Sequence, residues 1–254
     1  MTGGPSAGIG VDAPAVVDAP AAASGEAAEA PAKPARTSSR AVDPTLDLER
    51  ELLASGVDVV IGCDEVGRGS IAGPVAVGVC AVRTAELERG FPAGLRDSKL
   101  LTEKRRVAVR PLVEEWAHAT AVGYASAEEI DREGIVRCLA LAARRALVQL
   151  HEAGVPIARS AILLDGSHDW LSSALTHPPR VLVRPKADRD CASVAGASVV
   201  AKVSRDDLMA AAAEAHPDYA WQSNRGYGSA AHYAAIERLG PTELHRHTWL
   251  RPRA

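Results

Sequence analysis

The amino-acid sequence predicts an α/β domain built on a single sheet. Two short apolar runs of strand length, Val57–Ile61 and Val75–Val82, lead the folded part of the chain. Helical spacing of apolar residues dominates its C-terminal half, and two further strand-length runs, Ala161–Leu164 and Arg180–Arg184, are interleaved with those helices. That order belongs to two- or three-layer domains in which helices cover a sheet. With 254 residues, 47% of them hydrophobic, the chain is long enough to bury a normal core. One Phe, four Tyr and four Trp leave much of that fraction to Ala and Val, which bury less area each and predict tight, helix-rich packing.

Taken in order, residues 1–44 are rich in Ala, Pro, Gly and Ser and lack large apolar residues to offset the entropy of ordering, so they are expected to be a disordered tail. The folded domain is expected over 45–254. LDLERELLASG spaces Leu46, Leu48, Leu52 and Leu53 as a helix, with Gly56 placed to end it. The Val57–Ile61 strand is interrupted by the small and charged residues from Cys63 to Gly73, and Val75–Val82 resumes the apolar pattern. This strand, glycine-rich turn and strand predict an antiparallel hairpin. Thr102 is placed to cap a helix reaching about His118, with Glu103 in its first turn. A third strand follows at Ala119–Ala125, then helices over about Ala127–Arg132 and Ile135–Ala153. After the Ala161–Leu164 and Arg180–Arg184 strands come a long helix of small and apolar residues, Ser193 to about Ala215, and a short one at Ala230–Leu239.

Several functional classes are excluded at this stage. A net charge of −3 is no global signature of nucleic-acid binding, so any such site must be a local basic patch. Cys63, Cys80, Cys138 and Cys191 form no CxxC pair, which argues against zinc clusters and disulfide frameworks and for a reducing cytoplasm. No run of about 18 apolar residues is present, so neither a membrane span nor membrane association is expected. The histidines, His168 and His245 included, make no HxxxH or HExxH arrangement, and surface or hydrogen-bonded core positions are expected for both. Gly-x-Ser-x-Gly elbows and phosphate-binding Walker loops are absent.

Four acids stand where an apolar strand or its extension runs out: Asp64 and Glu65 after VVIGC, Asp165 after AILL, and Asp188 after VLVRPKA. Taken singly, each has an ordinary role open to it, as a turn residue or a helix cap. Drawn together, four carboxylates repel unless cations neutralise them, and their hard oxygens suit Mg²⁺ or Mn²⁺. Two divalent ions match the charge of four carboxylates, and such pairs activate water for phosphodiester cleavage.

Five stretches, in order, resemble ribonuclease HII: GCDEVGRGSIAGP at 62–74, DSKLLTEKRR at 97–106, LLDG at 163–166, KADRDCASVAGASVVAKVSRD at 186–206 and NRGYGSAAHYAAIERLGPTELHR at 224–246. The resemblance covers about residues 57–250. It implies a ribonuclease H-like fold, a mixed five-stranded sheet flanked by helices with a helical C-terminal extension. It also implies that Asp64, Glu65, Asp165 and Asp188 are the catalytic metal ligands, with Asp190 the alternative to Asp188. The implied reaction is a two-metal hydrolysis 5′ to ribonucleotides in RNA/DNA hybrids and in duplex DNA with embedded ribonucleotides, as in ribonucleotide excision repair. It leaves 3′-hydroxyl and 5′-phosphate ends.

Substrate recognition is expected from the same stretches. Gly67, Arg68 and Gly69 follow the first two acids, and the resemblance implies that this loop senses the ribose 2′-hydroxyl through its backbone. Tyr227, between two glycines, is implied to stack on the neighbouring sugar, and a buried turn tyrosine is the alternative. Lys99, Lys186 and Lys202 are candidate phosphate contacts, as is Arg205, three residues from Lys202 on one helix face. Ser98 and Ser198 offer hydroxyls, although Ser198 is equally suited to packing its helix. The other readings are ribonuclease HIII, which usually carries a folded N-terminal substrate-binding domain, and a non-catalytic hybrid-binding protein. A monomer is expected, and HTWLRPRA at the C-terminus contains no recognisable clamp-binding box.

Overall fold

A computed structural model describes residues 43–250. The expectation of a disordered tail therefore lies, apart from its last two residues, outside the described residues. Five strands, β1 (Val59–Val66), β2 (Val75–Val82), β3 (Ala119–Ala125), β4 (Ser160–Asp165) and β5 (Arg180–Arg184), form one mixed sheet of order β3-β2-β1-β4-β5. The hairpin partners β1 and β2 are antiparallel, as are β2 and β3, while β1, β4 and β5 run parallel. The carboxyl ends of β1, β4 and β5 thus share one edge of the sheet. Open sheets with parallel strands commonly place their sites at that edge.

Alternating side chains feed two cores, which makes the domain three-layered. Val60, Cys80, Val82, Ala161 and Leu163 face α1 (Asp47–Ala54), α3 (Glu103–Trp116) and the long α7 (Ala192–Ala215). Val59, Ile61, Cys63, Val77, Val79, Ile162 and Leu164 face α4 (Ala127–Glu133) and α5 (Ile135–Glu152). Burial on both faces explains why β2 reads as a continuous apolar run without alternation. A smaller third core joins Met209 and Ala213 of α7 to Tyr219, Trp221 of α8 (Trp221–Asn224) and Ala235 of α9 (Ala230–Leu239), which is the helical extension.

The closeness of α7 to the sheet is set by two glycines. A Cβ at Gly62 would lie 2.2 Å from the Ser193 backbone, and one at Gly78 would lie 2.4 Å from the Ala197 carbonyl oxygen. Any side chain there would lift the helix off the strands. The start of α7 is also pinned by α1, since the buried Glu49 accepts hydrogen bonds from the Ser193 amide and hydroxyl at 2.9 and 2.7 Å.

Three features depart from expectation. β1 does not stop at Ile61 but continues to Val66, because its ladder with β2 runs on through Val66↔Ala76. Asp64 and Glu65 therefore lie within the strand. Three short helices, α2 (Thr84–Glu88), α6 (Ala187–Asp190) and α8, had no sequence signal. Asp188 consequently stands on a helical turn beyond β5, and not on an extension of the strand.

Candidate active site

On β1 the alternation places Asp64 on the face covered by α7, directly opposite Gly78 of β2. Parallel pairing of Cys63 with Leu164 brings Asp165, one residue further on, beside Asp64 at the carboxyl end of β4. The chain then runs through β5 to Lys186, whose left-handed backbone (φ 64°) turns it into α6. That turn buries Asp188 and aims its amide at Asp165 Oδ1, 3.4 Å away. A bridge between Thr45 and Cys191 holds the end of the same turn through two backbone hydrogen bonds of 2.9 Å.

Lys99 completes the cluster from the Asp97 turn, its Nζ donating to Asp188 Oδ2 at 2.8 Å. This ammonium is felt by Asp64 and Asp188, and also by Glu65 and Asp165. Burial of its stem opposes ionisation, but the Asp188 carboxylate outweighs that and holds the Lys99 pKa above its usual value. Two cations, Lys99 and the Arg68 that reaches Glu65, thus stand among four carboxylates, and the acids record the imbalance. Burial, followed by repulsion from Glu65, Asp165 and Asp188, pushes Asp64 up to about 8, although the Ser198 hydroxyl favours its charged form. Glu65 is raised by burial and Asp165, against the pull of Arg68, whose Nη1 is 3.4 Å from Glu65 Oε1. Asp165 is raised by burial and then by Asp188.

This donor set fits a hard divalent cation. Among the described residues no three His, Cys, Asp or Glu side chains already converge closely enough to hold an ion. Asp190, the alternative ligand, is engaged elsewhere. It pairs with Arg189 at 2.6 Å and Arg184 at 3.3 Å, and these arginines lower its pKa.

The loop after β1 is held from beneath by two fully buried arginines. Arg205 donates to the carbonyls of Pro74, Ala72 and Arg225 and to Ser70 Oγ, at 2.8 to 3.2 Å. Arg246 donates to the carbonyls of Gly67, Arg68 and Gly73, at 2.7 to 3.2 Å. With these carbonyls turned inward, each buried guanidinium is satisfied by neutral acceptors. Gly67 is required by the protein itself: its φ is +80° and a Cβ would meet Arg205 Nε at 2.0 Å. Nothing lies within 4 Å of a Cβ built on Gly69, so the protein leaves open space there.

The expected recognition residues fall into two groups. Arg68, Lys99, Lys186 and Tyr227 reach solvent at the site or its rim, and Tyr227 is 39% exposed, which discards the buried-turn alternative. Its ring lies over Arg205, with Cζ 5.7 Å from the ring centre. Ser198, by contrast, is 2% exposed, with its hydroxyl on Ser98 Oγ at 2.8 Å and acting on Asp64. It is corrected from a substrate contact to a residue that holds Asp64. Lys202 is bound to both oxygens of Asp206, at 2.5 and 2.6 Å, on the flank of the loop-holding Arg205. Arg205 itself is buried and corrected from a phosphate contact to a loop support. Arg106 is likewise structural, donating to the carbonyls of Ser98 and Leu101. His168 is exposed and His245 buried and hydrogen-bonded, as expected.

A five-stranded mixed sheet with carboxylates gathered at the shared ends of its central strands defines a ribonuclease H-like nuclease domain. Solved structures agree. The chain is similar to ribonuclease H2 from Pyrococcus horikoshii OT3, with a TM-score of 0.61 and 26% identity over 75% of this chain and 93% of that one. It is also similar to Bst ribonuclease HIII in complex with Mn²⁺, with a TM-score of 0.62 and 25% identity over 76% of this chain and 68% of the other. The particular family follows from the sequence: the Ribonuclease HII family model matches residues 61–252. The chain is 46% identical to a ribonuclease HII of Streptomyces avermitilis over 81% of its own length and 83% of that relative's. The chain belongs to the ribonuclease HII family and is an endoribonuclease.

Proposed function

We propose that the enzyme hydrolyses the phosphodiester on the 5′ side of ribonucleotides, in RNA/DNA hybrids and in duplex DNA with an embedded ribonucleotide. The products carry 3′-hydroxyl and 5′-phosphate ends. Asp64, Glu65, Asp165 and Asp188 would hold the divalent ions, Mg²⁺ or Mn²⁺. The observation that carries this reading is the gathering of four carboxyl groups against only two partly exposed cations, Lys99 and Arg68, which leaves Asp64, Glu65 and Asp165 with raised pKa values. The Mn²⁺ bound by the ribonuclease HIII neighbour supports the choice of ion, and the cleavage polarity rests on the family resemblance. When bound, such ions supply an activated water and neutralise the leaving oxygen.

The chain's own residues do the rest. The Glu65 amide donates to Asp64 Oδ1 at 2.8 Å, and the Ser198 hydroxyl joins it in orienting that carboxylate. Arg205 and Arg246 turn the loop carbonyls inward, so the open backbone at Gly69 is presented to the sugar and its 2′-hydroxyl. Lys99, with 69% of its side chain exposed, is placed to exchange Asp188 for a phosphate oxygen, and exposed Lys186 lies on the same rim. Tyr227 offers its ring to the neighbouring sugar.

Asp64→Asn tests the assignment. It keeps the side chain's shape and its acceptor for the Glu65 amide, so binding of an RNA/DNA hybrid is expected to survive while cleavage stops. Cleavage at the wild-type rate would overturn the reading.

A further inference from the structure

Apart from the carboxylates, the C-terminal extension encloses two fully buried imidazoles, His232 of α9 and His245, whose Nε2 atoms are 3.1 Å apart. Their tautomers follow from neighbours of known type. The Thr242 amide donates to His245 Nδ1 at 2.9 Å, so the His245 hydrogen is on Nε2. Trp221 Nε1, a donor only, is 3.0 Å from His232 Nε2. That nitrogen therefore accepts, and His232 carries its hydrogen on Nδ1, 2.9 Å from the Tyr227 carbonyl. The result is one directed chain: Thr242 amide to His245, His245 to His232, whose Nε2 lone pair it shares with Trp221, and His232 to the carbonyl of Tyr227.

What the chain holds is a tight turn. Arg225 and Gly226 both have positive φ (50° and 85°), and the Tyr227 amide returns to the Asn224 carbonyl at 2.9 Å. The turn leaves the Tyr227 ring exposed above Arg205. The side chains packed against the imidazoles are aromatic. Tyr219 lies edge-on to both rings and Trp221 close against both. His216 and His247 act on His245 from further away, with His216 itself 3.6 Å from Glu243.

We propose that His232 and His245 are positioning residues for substrate binding: as a neutral, directed pair they hold the Tyr227 carbonyl, and so set the ring against the sugar beside the cleaved bond. The pair itself touches no substrate. This rests on the reading of Tyr227 as a sugar contact.

The test is a double-mutant cycle on the full chain, scored as KM and kcat on a duplex with one embedded ribonucleotide. His232→Leu is expected to raise KM about tenfold, the loss of one well-placed hydrogen bond, with kcat changed far less. His232→Asn, which keeps a donor near the Nδ1 position, restores most of the affinity. With Tyr227→Ala already present, His232→Leu adds no further rise. Equal rises in both backgrounds, or no rescue by Asn, would overturn the proposal. If Tyr227→Ala raises KM and His232→Leu does not, the positioning role fails alone. If Tyr227→Ala leaves KM unchanged, the sugar-contact reading fails and the proposal with it. Imidazole ¹⁵N resonances of the wild-type protein give a measurement free of folding losses. Nδ1–H on His232 with Nε2–H on His245 is expected, and any other pairing of tautomers overturns the proposal.

Discussion

Replacing Asp64 by Asn should stabilise the metal-free protein while it abolishes cleavage. The Asp64 carboxyl is 4% exposed and its pKa is pushed up to about 8, first by burial. An acid whose pKa is raised on folding favours the folded state most below its ordinary value of 3.8, and that benefit is lost as pH rises toward 8. At pH 7 the unfolded carboxyl is fully ionised and the folded one largely protonated. The span from 3.8 to 7, at about 1.36 kcal/mol per pH unit, sets a ceiling of about 4 kcal/mol on the cost. Relaxation around the charge lowers this, so a gain on the order of 2 kcal/mol is expected for Asn, about 4–8 °C in Tm for a domain of this size. The assay is thermal unfolding in chelator at pH 7, repeated with excess Mn²⁺. Cation binding should then stabilise the wild type more and reverse the order. A variant that melts at or below the wild type in chelator would refute the reasoning.

The raised carboxyl must lose its proton to accept a cation, so the Mn²⁺ concentration for half-maximal cleavage should fall as pH rises from 6 to 8, approaching tenfold per pH unit, then level off. A requirement independent of pH would contradict this. Gly67→Ala should lower stability by about 1 kcal/mol or more, because its φ is positive and Arg205 fills the space. Gly69→Ala should leave Tm nearly unchanged yet weaken cleavage at a ribonucleotide, and unchanged cleavage would remove Gly69 from the substrate path. Asp188→Asn should reduce cleavage by roughly a hundredfold or more, whereas Asp190→Asn, which loses only partly exposed arginine pairs, should cost under about 1 kcal/mol and leave the rate near wild type. Comparable losses of cleavage in both variants would unseat Asp188.

Much of this was legible in the sequence where local pattern and final structure coincide. Ala119–Ala125 and Arg180–Arg184 are strands with those bounds, and Thr102 does cap α3, accepting from the Arg105 amide. The end of β1 was missed because Cys63, Asp64 and Glu65 break the apolar run, whereas the ladder that carries the strand onward depends on β2. The turn into α6 was invisible because Lys186 adopts a left-handed backbone without being glycine, a conformation imposed by its surroundings. The choice between Asp188 and Asp190 is tertiary, since one faces Lys99 and the other two arginines. Spacing on α7 put Lys202 and Arg205 on one helix face but could not reveal that a loop 131 positions earlier in the chain covers Arg205. Arg246 gave no signal of its own, being an arginine among basic and polar neighbours. The buried histidine pair was visible only as two histidines 13 residues apart.

The most direct test offers the protein a DNA duplex with one embedded ribonucleotide beside the all-DNA duplex, in Mg²⁺, in Mn²⁺ and in chelator. The account predicts a single nick on the 5′ side of the ribonucleotide with 3′-hydroxyl and 5′-phosphate ends, only when a divalent ion is present, and an intact all-DNA duplex. Cleavage in chelator, equal cutting of both duplexes, or no cutting of the first would contradict it.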